Sequence, residues 1–163
     1  MGVEKTTFVT GSTTGIGKLT AEELLKNGHK VVVHARNEQR AQDIQKELPN
    51  VSGIVIGDLA DLDQTKKMAE TINAYGVFDT IIHNAGVSSA SSKEILNVNV
   101  LSPFILTAMV KRPKQLIYLA SSMHASGSLK INELEKSQPR ISYSDSKLQI
   151  LTFAMGLSRL WSD

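Results

Sequence analysis

Tyr143 and Lys147 stand four residues apart where a polar stretch gives way to an apolar helical pattern. Residues i and i+4 share a helix face, so a phenol and an ammonium can enter one site. A phenol has a reference pKa of about 10, and a nearby cation favours the phenolate, which suits such a pair to proton exchange near neutrality. Tyr-x-x-x-Lys by itself is a common spacing, and its meaning depends on what the chain brings beside it. Upstream, Ser121-Ser122 closes an apolar run. Near the N-terminus, Thr10-Gly11-Ser12-Thr13-Thr14-Gly15-Ile16-Gly17 follows the apolar Thr7-Phe8-Val9 and opens a helical pattern from Ile16 to about Asn27. A strand that turns through glycines into a helix presents bare N–H groups at the positive end of the helix dipole, which suits a phosphate or pyrophosphate. Gly11 permits the tight turn, Gly15 lets backbone approach the ligand, and Gly17 lets helix lie close on strand. The G-x-x-x-G-x-G spacing gains its weight from the strand before it and the helix after it.

Other residues with chemistry follow the ends of apolar runs. Ala35-Arg36-Asn37 lies about 20 residues past the glycines, where a dinucleotide fold reads the adenosine ribose. An acid there accepts the 2′-hydroxyl of NAD, whereas an arginine accommodates the 2′-phosphate of NADP; the acid is absent and Arg36 is present. Gly57-Asp58-Leu59 puts a carboxylate at the next strand end, able to accept from an adenine amino group or to cap a turn. Asn84-Ala85-Gly86 is a small-residue turn suited to backbone passing close to a ribose or base. Pro103 lies four residues after Asn99, so the Asn99 carbonyl loses its helical partner, the helix should kink, and the carbonyl can hold a water.

These residues must be positioned by alternating strands and helices. Lys30–Ala35, Ser52–Gly57, Thr80–His83 and Gln115–Ala120 read as buried strands after the first. Helices are expected from Asn37 to Leu48, over Asp61–Tyr75, over Ser92–Val110 and over Ser142–Trp161. Continuous β-branched strands separated by helices mean a parallel sheet covered on both faces. Ser121–Ile141 is the longest irregular stretch, long enough for a functional role. The 163 residues suffice for one domain, 1–163, with a real core. A net charge of +2 argues against a nucleic-acid partner. The absence of cysteine excludes disulfides, thiolate catalysis and Cys-zinc sites, and no metal is expected. No apolar stretch suits a membrane span, and Met1-Gly2-Val3-Glu4-Lys5 lacks the apolar core of a signal peptide, so the expected location is the cytoplasm.

With these elements in order, the chain resembles the short-chain dehydrogenase/reductase family from Thr7 to at least Leu157. The matching motifs are Thr10–Gly17, Asp58, Asn84-Ala85-Gly86, Asn99, Ser122 and Tyr143/Lys147. The resemblance implies a Rossmann-like doubly wound sheet of order 3-2-1-4-5 and a nicotinamide-dependent oxidoreductase, here preferring NADP(H), that interconverts a carbonyl and an alcohol. On that pattern Tyr143 exchanges the proton and Ser122 hydrogen-bonds the same oxygen. Lys147 holds the ribose hydroxyls, and Asn99 anchors a relay water through its carbonyl. Gly11, Ser12, Thr13, Thr14, Gly15, Ile16, Gly17, Arg36, Asn37, Asp58, Leu59, Asn84, Ala85, Gly86, Tyr143 and Lys147 would line the cofactor. His83 stands where many members have asparagine, and Asp145 replaces a common alanine as an expected exposed first-turn acid.

Two rivals share the fold: a non-catalytic dinucleotide-binding regulator and a nucleotide-sugar epimerase-like member. Intact Ser122, Tyr143 and Lys147 argue against the first, and the positions of Gly11, Gly15 and Gly17 against the second. Helices 98–110 and 148–157 are apolar on several sides, and the family pairs them across a two-fold axis, so a homodimer or homotetramer is expected. The family continues into further strands that hold the nicotinamide and cover the substrate, whereas this chain stops 20 residues after Tyr143. As given it is therefore expected to bind cofactor weakly without turnover, with Gln115–Ala120 an uncovered edge.

Overall fold

A computed structural model describes residues 3–161; Met1, Gly2, Ser162 and Asp163 lie outside the described residues. Five strands form one parallel sheet in the order β3-β2-β1-β4-β5: β1 (Thr6–Val9), β2 (Lys30–Ala35), β3 (Gly53–Ile56), β4 (Thr80–His83) and β5 (Gln115–Tyr118). Their side chains alternate across the sheet, as pleating requires. Phe8, Val32, Val55 and Ile81 face one core together with Met68, Ile72 and Leu106. Val9, Val31, Val33 and Ile82 face the other with Ala21 and Ile44. Helices α1 (Gly15–Lys26) and α2 (Glu38–Glu47) thus cover one face, and α3 (Leu62–Ala74) and the helix through Leu106 the opposite one.

Two helices start at capping side chains. Asn37 accepts from the Arg40 N–H, and Asp61 accepts from Asp63 and Gln64, satisfying first-turn donors that have no partner inside the helix. β3 and β5 are shorter than the apolar runs suggest, since Ser52, Gly57, Leu119 and Ala120 fall outside the paired strands. β5 pairs with β4 alone.

The stretch 92–110 is not one kinked helix. Helix α4 (Ser92–Leu96) passes into a π-turn, Asn97–Leu101, and then α5 (Ser102–Met109). The Ser102 N–H reaches back five residues to the Asn97 carbonyl, and Pro103 falls in the first turn of α5, where no intrahelical donor is missed. The proline is absorbed by a widened turn, and Asn97, Val98, Asn99 and Val100 all face inward. Helix α6 (Tyr143–Leu160) starts from the Ser142 cap and lies beside α5 and β5, with Phe153 edge-on to both Phe104 and Tyr118.

Candidate functional site at the carboxyl edge of the sheet

The first turn after β1 is built as the glycines require. Gly11 and Gly15 sit at φ +62° and +58°, a region costly for residues with a side chain. Around the place where a Gly15 Cβ would stand there is nothing within 4 Å, so the turn is open there. A Cβ at Gly17 would collide with Asn84 Nδ2 and the Gly11 carbonyl, so this glycine permits close packing. Asn84 locks the turn from below, donating from Nδ2 to the Thr10 and Gly11 carbonyls at 2.9 and 3.1 Å. α1 begins without a side-chain cap and without an acid in its first turn, unlike α2, α3, α4 and α6, which each have a capping side chain. Its leading N–H groups and positive dipole end are left for an anion.

A cleft of about 380 Å³ opens in front of this turn. Gly11, Thr13, Thr14 and Ile16 line it, with Arg36, Asp58, Leu59 and the Asn84-Ala85-Gly86 turn. Arg36 is exposed at its rim. One Asp58 oxygen accepts from the Ala60 N–H at 2.9 Å, so the cap reading is realised on that oxygen while the residue still lines the cleft. Gly15 borders an adjoining groove with Lys18 and Arg40. Three expected ligand residues have other work for their side chains or packing: Gly17 is buried as above, Asn37 caps α2, and the Ser12 hydroxyl turns inward, donating to the Val9 carbonyl at 2.8 Å.

The residues expected to exchange the proton lie where this cleft ends, beside Gly86. A Cβ at Gly86 would lie 3.3 Å from Lys147 Nζ and 3.4 Å from Asn99 Oδ1. Lys147 is buried, donates to the Leu119 carbonyl at 2.9 Å, and places its ammonium 5.5 Å from the centre of the Tyr143 ring. Burial lowers the Lys147 pKa from its ordinary value, since a desolvated ammonium is disfavoured. Asn99 works through its side chain, accepting from the Val87 N–H at 2.8 Å and donating to the Val87 carbonyl and Ser146 Oγ at 2.9 Å each. Ser146 in turn donates to the Tyr143 carbonyl at 2.7 Å. The π-turn thus ties the Gly86 loop to the first turn of α6.

Ser122 is exposed and begins a short helical turn, Ser122–Ser126, while Ser121 accepts from the Met123 N–H at its start. That turn leans on α6: Ser126 Oγ donates to Ser144 Oγ at 3.2 Å, and Gly127 lies so close to the Ser144 carbonyl that a Cβ would collide with it. No hydrogen bond links the Ser122 and Tyr143 hydroxyls among the described residues; they sit on adjoining segments.

Asp145 corrects one expectation. It is only 4% exposed, not a solvated first-turn acid. Its carboxylate accepts from Ser142 and Ser128 N–H groups at 2.9 and 2.8 Å and pairs with Lys130 Nζ at 2.8 Å. Burial pushes its pKa up, but the Lys130 ion pair and the Ser142 and Ser128 donors prevail and hold it well below the usual carboxylate range. Lys130, the only non-glycine with positive φ among the described residues, is held at φ 31° by this clamp. Asp145 therefore fastens the irregular segment onto the helix that carries Tyr143. Asp145→Ala should cost about 2–4 kcal/mol in urea unfolding, because it leaves two N–H groups without their acceptor and the Lys130 ammonium without its counter-charge. A loss under about 0.5 kcal/mol would show the clamp to be incidental.

Sequence reasoning missed His34, which lines the same cleft. The available signal was an imidazole inside an otherwise apolar strand, Lys30-Val31-Val32-Val33-His34-Ala35. It also missed Val87, Glu94 and Val98 on the cleft wall.

A parallel sheet of this order, a glycine turn at its first strand and Tyr143/Lys147 at the far end of the cleft can be set beside known proteins. The short chain dehydrogenase family matches residues 5–162. An uncharacterised oxidoreductase of Emericella nidulans is 38% identical over 96% of the chain, and the short-chain dehydrogenase chry4 of Gibberella zeae is 36% identical over 96%. The chain spans 64% and 66% of the lengths of these two relatives. A gluconate 5-dehydrogenase from Burkholderia cenocepacia, solved with NADP and tartrate, shares the fold at a TM-score of 0.77 and 21% identity, over 98% of this chain and 67% of that one. With the match running from before the first strand to beyond the end of α6, the chain belongs to the short-chain dehydrogenase family.

Proposed function

We propose that the protein is an NADP(H)-dependent oxidoreductase that interconverts a carbonyl and an alcohol. The observation that carries this reading is the end of the cleft: Gly86 abuts the Lys147 ammonium, which lies over the Tyr143 ring. A dinucleotide lying along the cleft from Arg36 to Gly86 meets the proton-exchanging pair at its far end. The residues present fit that guest. An uncapped helix N-terminus and an open glycine turn suit the pyrophosphate, and Arg36 suits a 2′-phosphate. The solved relative from Burkholderia, which holds NADP, supports the same choice.

When bound, the nicotinamide supplies or accepts the hydride. The chain's own residues do the rest. The Tyr143 hydroxyl gives its proton to the carbonyl oxygen in reduction and takes it back in oxidation, while the Ser122 hydroxyl donates a hydrogen bond to the same oxygen. One of the three Lys147 N–H groups is used by Leu119, leaving two for the ribose hydroxyls. Asn99 holds the Gly86–Val87 loop and the start of α6 in register and offers its backbone carbonyl to a relay water.

Calorimetry with both reduced cofactors tests the cofactor assignment. NADPH should bind more tightly than NADH, and Arg36→Asp should reduce NADPH affinity on the order of tenfold to a hundredfold by setting a carboxylate against the phosphate. Equal or tighter binding of NADH by the unaltered protein would overturn the NADP assignment. We also propose a homo-oligomer joined through α5 and α6, supported by the exposed Phe104, Met109 and Met155 on those helices. A monomeric mass by light scattering at micromolar concentration would count against it.

A further inference from the structure

The glycine turn is held from the side by a residue that no motif contains. His34 is 4% exposed and sits where the ladder between β1 and β2 has stopped, since their pairing ends at Val9 and Val33. Its ring replaces the missing rung. Nδ1 accepts from the Gly11 N–H at 2.9 Å, and Nε2 donates to the Gly57 carbonyl at 2.8 Å. A backbone N–H can only donate and a carbonyl can only accept, so the ring is neutral with its proton on Nε2. Burial lowers the His34 pKa from its ordinary value, in keeping with that form. The backbone adds a further tie: the His34 N–H donates to Ser12 Oγ at 2.9 Å. The ends of three adjacent strands, at Gly11, His34 and Gly57, are thus joined by one side chain on the cleft wall.

One consequence concerns the amides of the turn. The Gly11 N–H is not available to a phosphate, because His34 already takes it. What His34 determines is where the turn stands, and hence where the open backbone at Gly15 and the first amides of α1 point. We propose that His34 is a positioning residue for the dinucleotide, fixing the glycine turn through its Nδ1 acceptor. This rests on the reading that the cleft holds NADP(H).

Three substitutions separate the two ring nitrogens. In His34→Asn the amide oxygen reaches the place of Nδ1 and can still accept from Gly11. In His34→Gln the amide nitrogen reaches the place of Nε2 and keeps the Gly57 contact without that acceptor. His34→Leu loses both. Calorimetry with NADPH should find His34→Asn within about threefold of the unaltered protein. His34→Gln and His34→Leu should each weaken binding on the order of tenfold or more, as expected where a part-buried N–H loses its partner and the turn its anchor. Loss of fold would instead track thermal stability and would not divide asparagine from glutamine. In the unaltered protein, the ¹⁵N shifts of the His34 ring should show an accepting Nδ1 and a protonated Nε2, with a downfield Gly11 amide proton. If NADPH binds equally well after His34→Gln and His34→Leu, or if the ring carries its proton on Nδ1, the role assigned to His34 is overturned. A protein with the expected ring signature that binds no NADPH would instead overturn the cofactor reading.

Discussion

On the proposed chemistry, replacing Tyr143 by phenylalanine should lower carbonyl reduction by a factor on the order of 10² to 10⁴, the usual contribution of a positioned proton donor. NADPH affinity should stay within about threefold. The substitution removes one oxygen and leaves the parts that hold the helix start. Asp145 and Ser142 cap each other's backbone, and Ser146 bonds the Tyr143 carbonyl, not its side chain. Lys147 keeps its place over the ring and its bond to Leu119. Lys147→Ala should behave differently, lowering both turnover and affinity, because the same ammonium serves the site and is packed at Gly86. Steady-state kinetics beside calorimetry separates the cases. A Tyr143→Phe protein that keeps more than a tenth of its kcat would show that another group supplies the proton.

Acidification should destabilise the protein through His83. This ring is buried, stacks on Tyr118 with centroids 4.8 Å apart, and lies 3.3 Å from Thr107 Oγ1 through Nε2. Nδ1 has no partner. Burial lowers its pKa from 6.5 to about 3, because nothing nearby compensates a cation there. The sign follows from linkage. Above pH 6.5 the ring is neutral in both folded and unfolded chains and adds no pH dependence. Below it the unfolded chain takes up a proton that the folded one refuses, so stability falls with pH until the folded ring itself titrates near pH 3. Between pH 6.5 and 4 the loss is on the order of 3 kcal/mol, a large share of an ordinary domain's stability. His34, also lowered by burial, pulls in the same direction. Asp145, held below the carboxylate range, adds its own loss only at more acid pH, beneath its ordinary value of 3.8. Urea unfolding at several pH values measures this slope. His83→Phe, which keeps the stacking on Tyr118 without a titrating ring, should flatten it substantially. An unchanged slope in that variant would place the acid sensitivity elsewhere.

Much of this protein is determined locally and is legible in one dimension. Val31–Val33 and Ile81–Ile82 announce strands because a parallel sheet buries both faces, so no polar alternation is needed. Asn37, Asp61 and Ser142 announce helix starts because a cap acts on donors two or three residues away. Tyr143 and Lys147 share a face by helical geometry alone, and strand ends at Gly11, Asp58, Asn84 and Ser121 fall on one edge once the sheet is parallel. Spacing does not encode which strands are neighbours, so the order 3-2-1-4-5 is legible only through the family resemblance.

The tertiary structure decided what depends on partners distant in the chain. Asp145 is buried because Lys130 and Ser128 arrive from the irregular segment, which no helical periodicity describes. His34 looks like one more strand residue until Gly11 and Gly57, each 23 residues away, come within hydrogen-bond reach of its two nitrogens. Ser12 belongs to the phosphate motif by position, yet its hydroxyl turns inward because the His34 N–H and the Val9 carbonyl lie there. Pro103 signals a disturbed helix, but only the packing of Asn97 and Asn99 inward turns that disturbance into a π-turn that holds the Gly86 loop. In each case a buried polar group must find a partner, and the partner is supplied by the folded neighbourhood, not by the residues beside it in the chain.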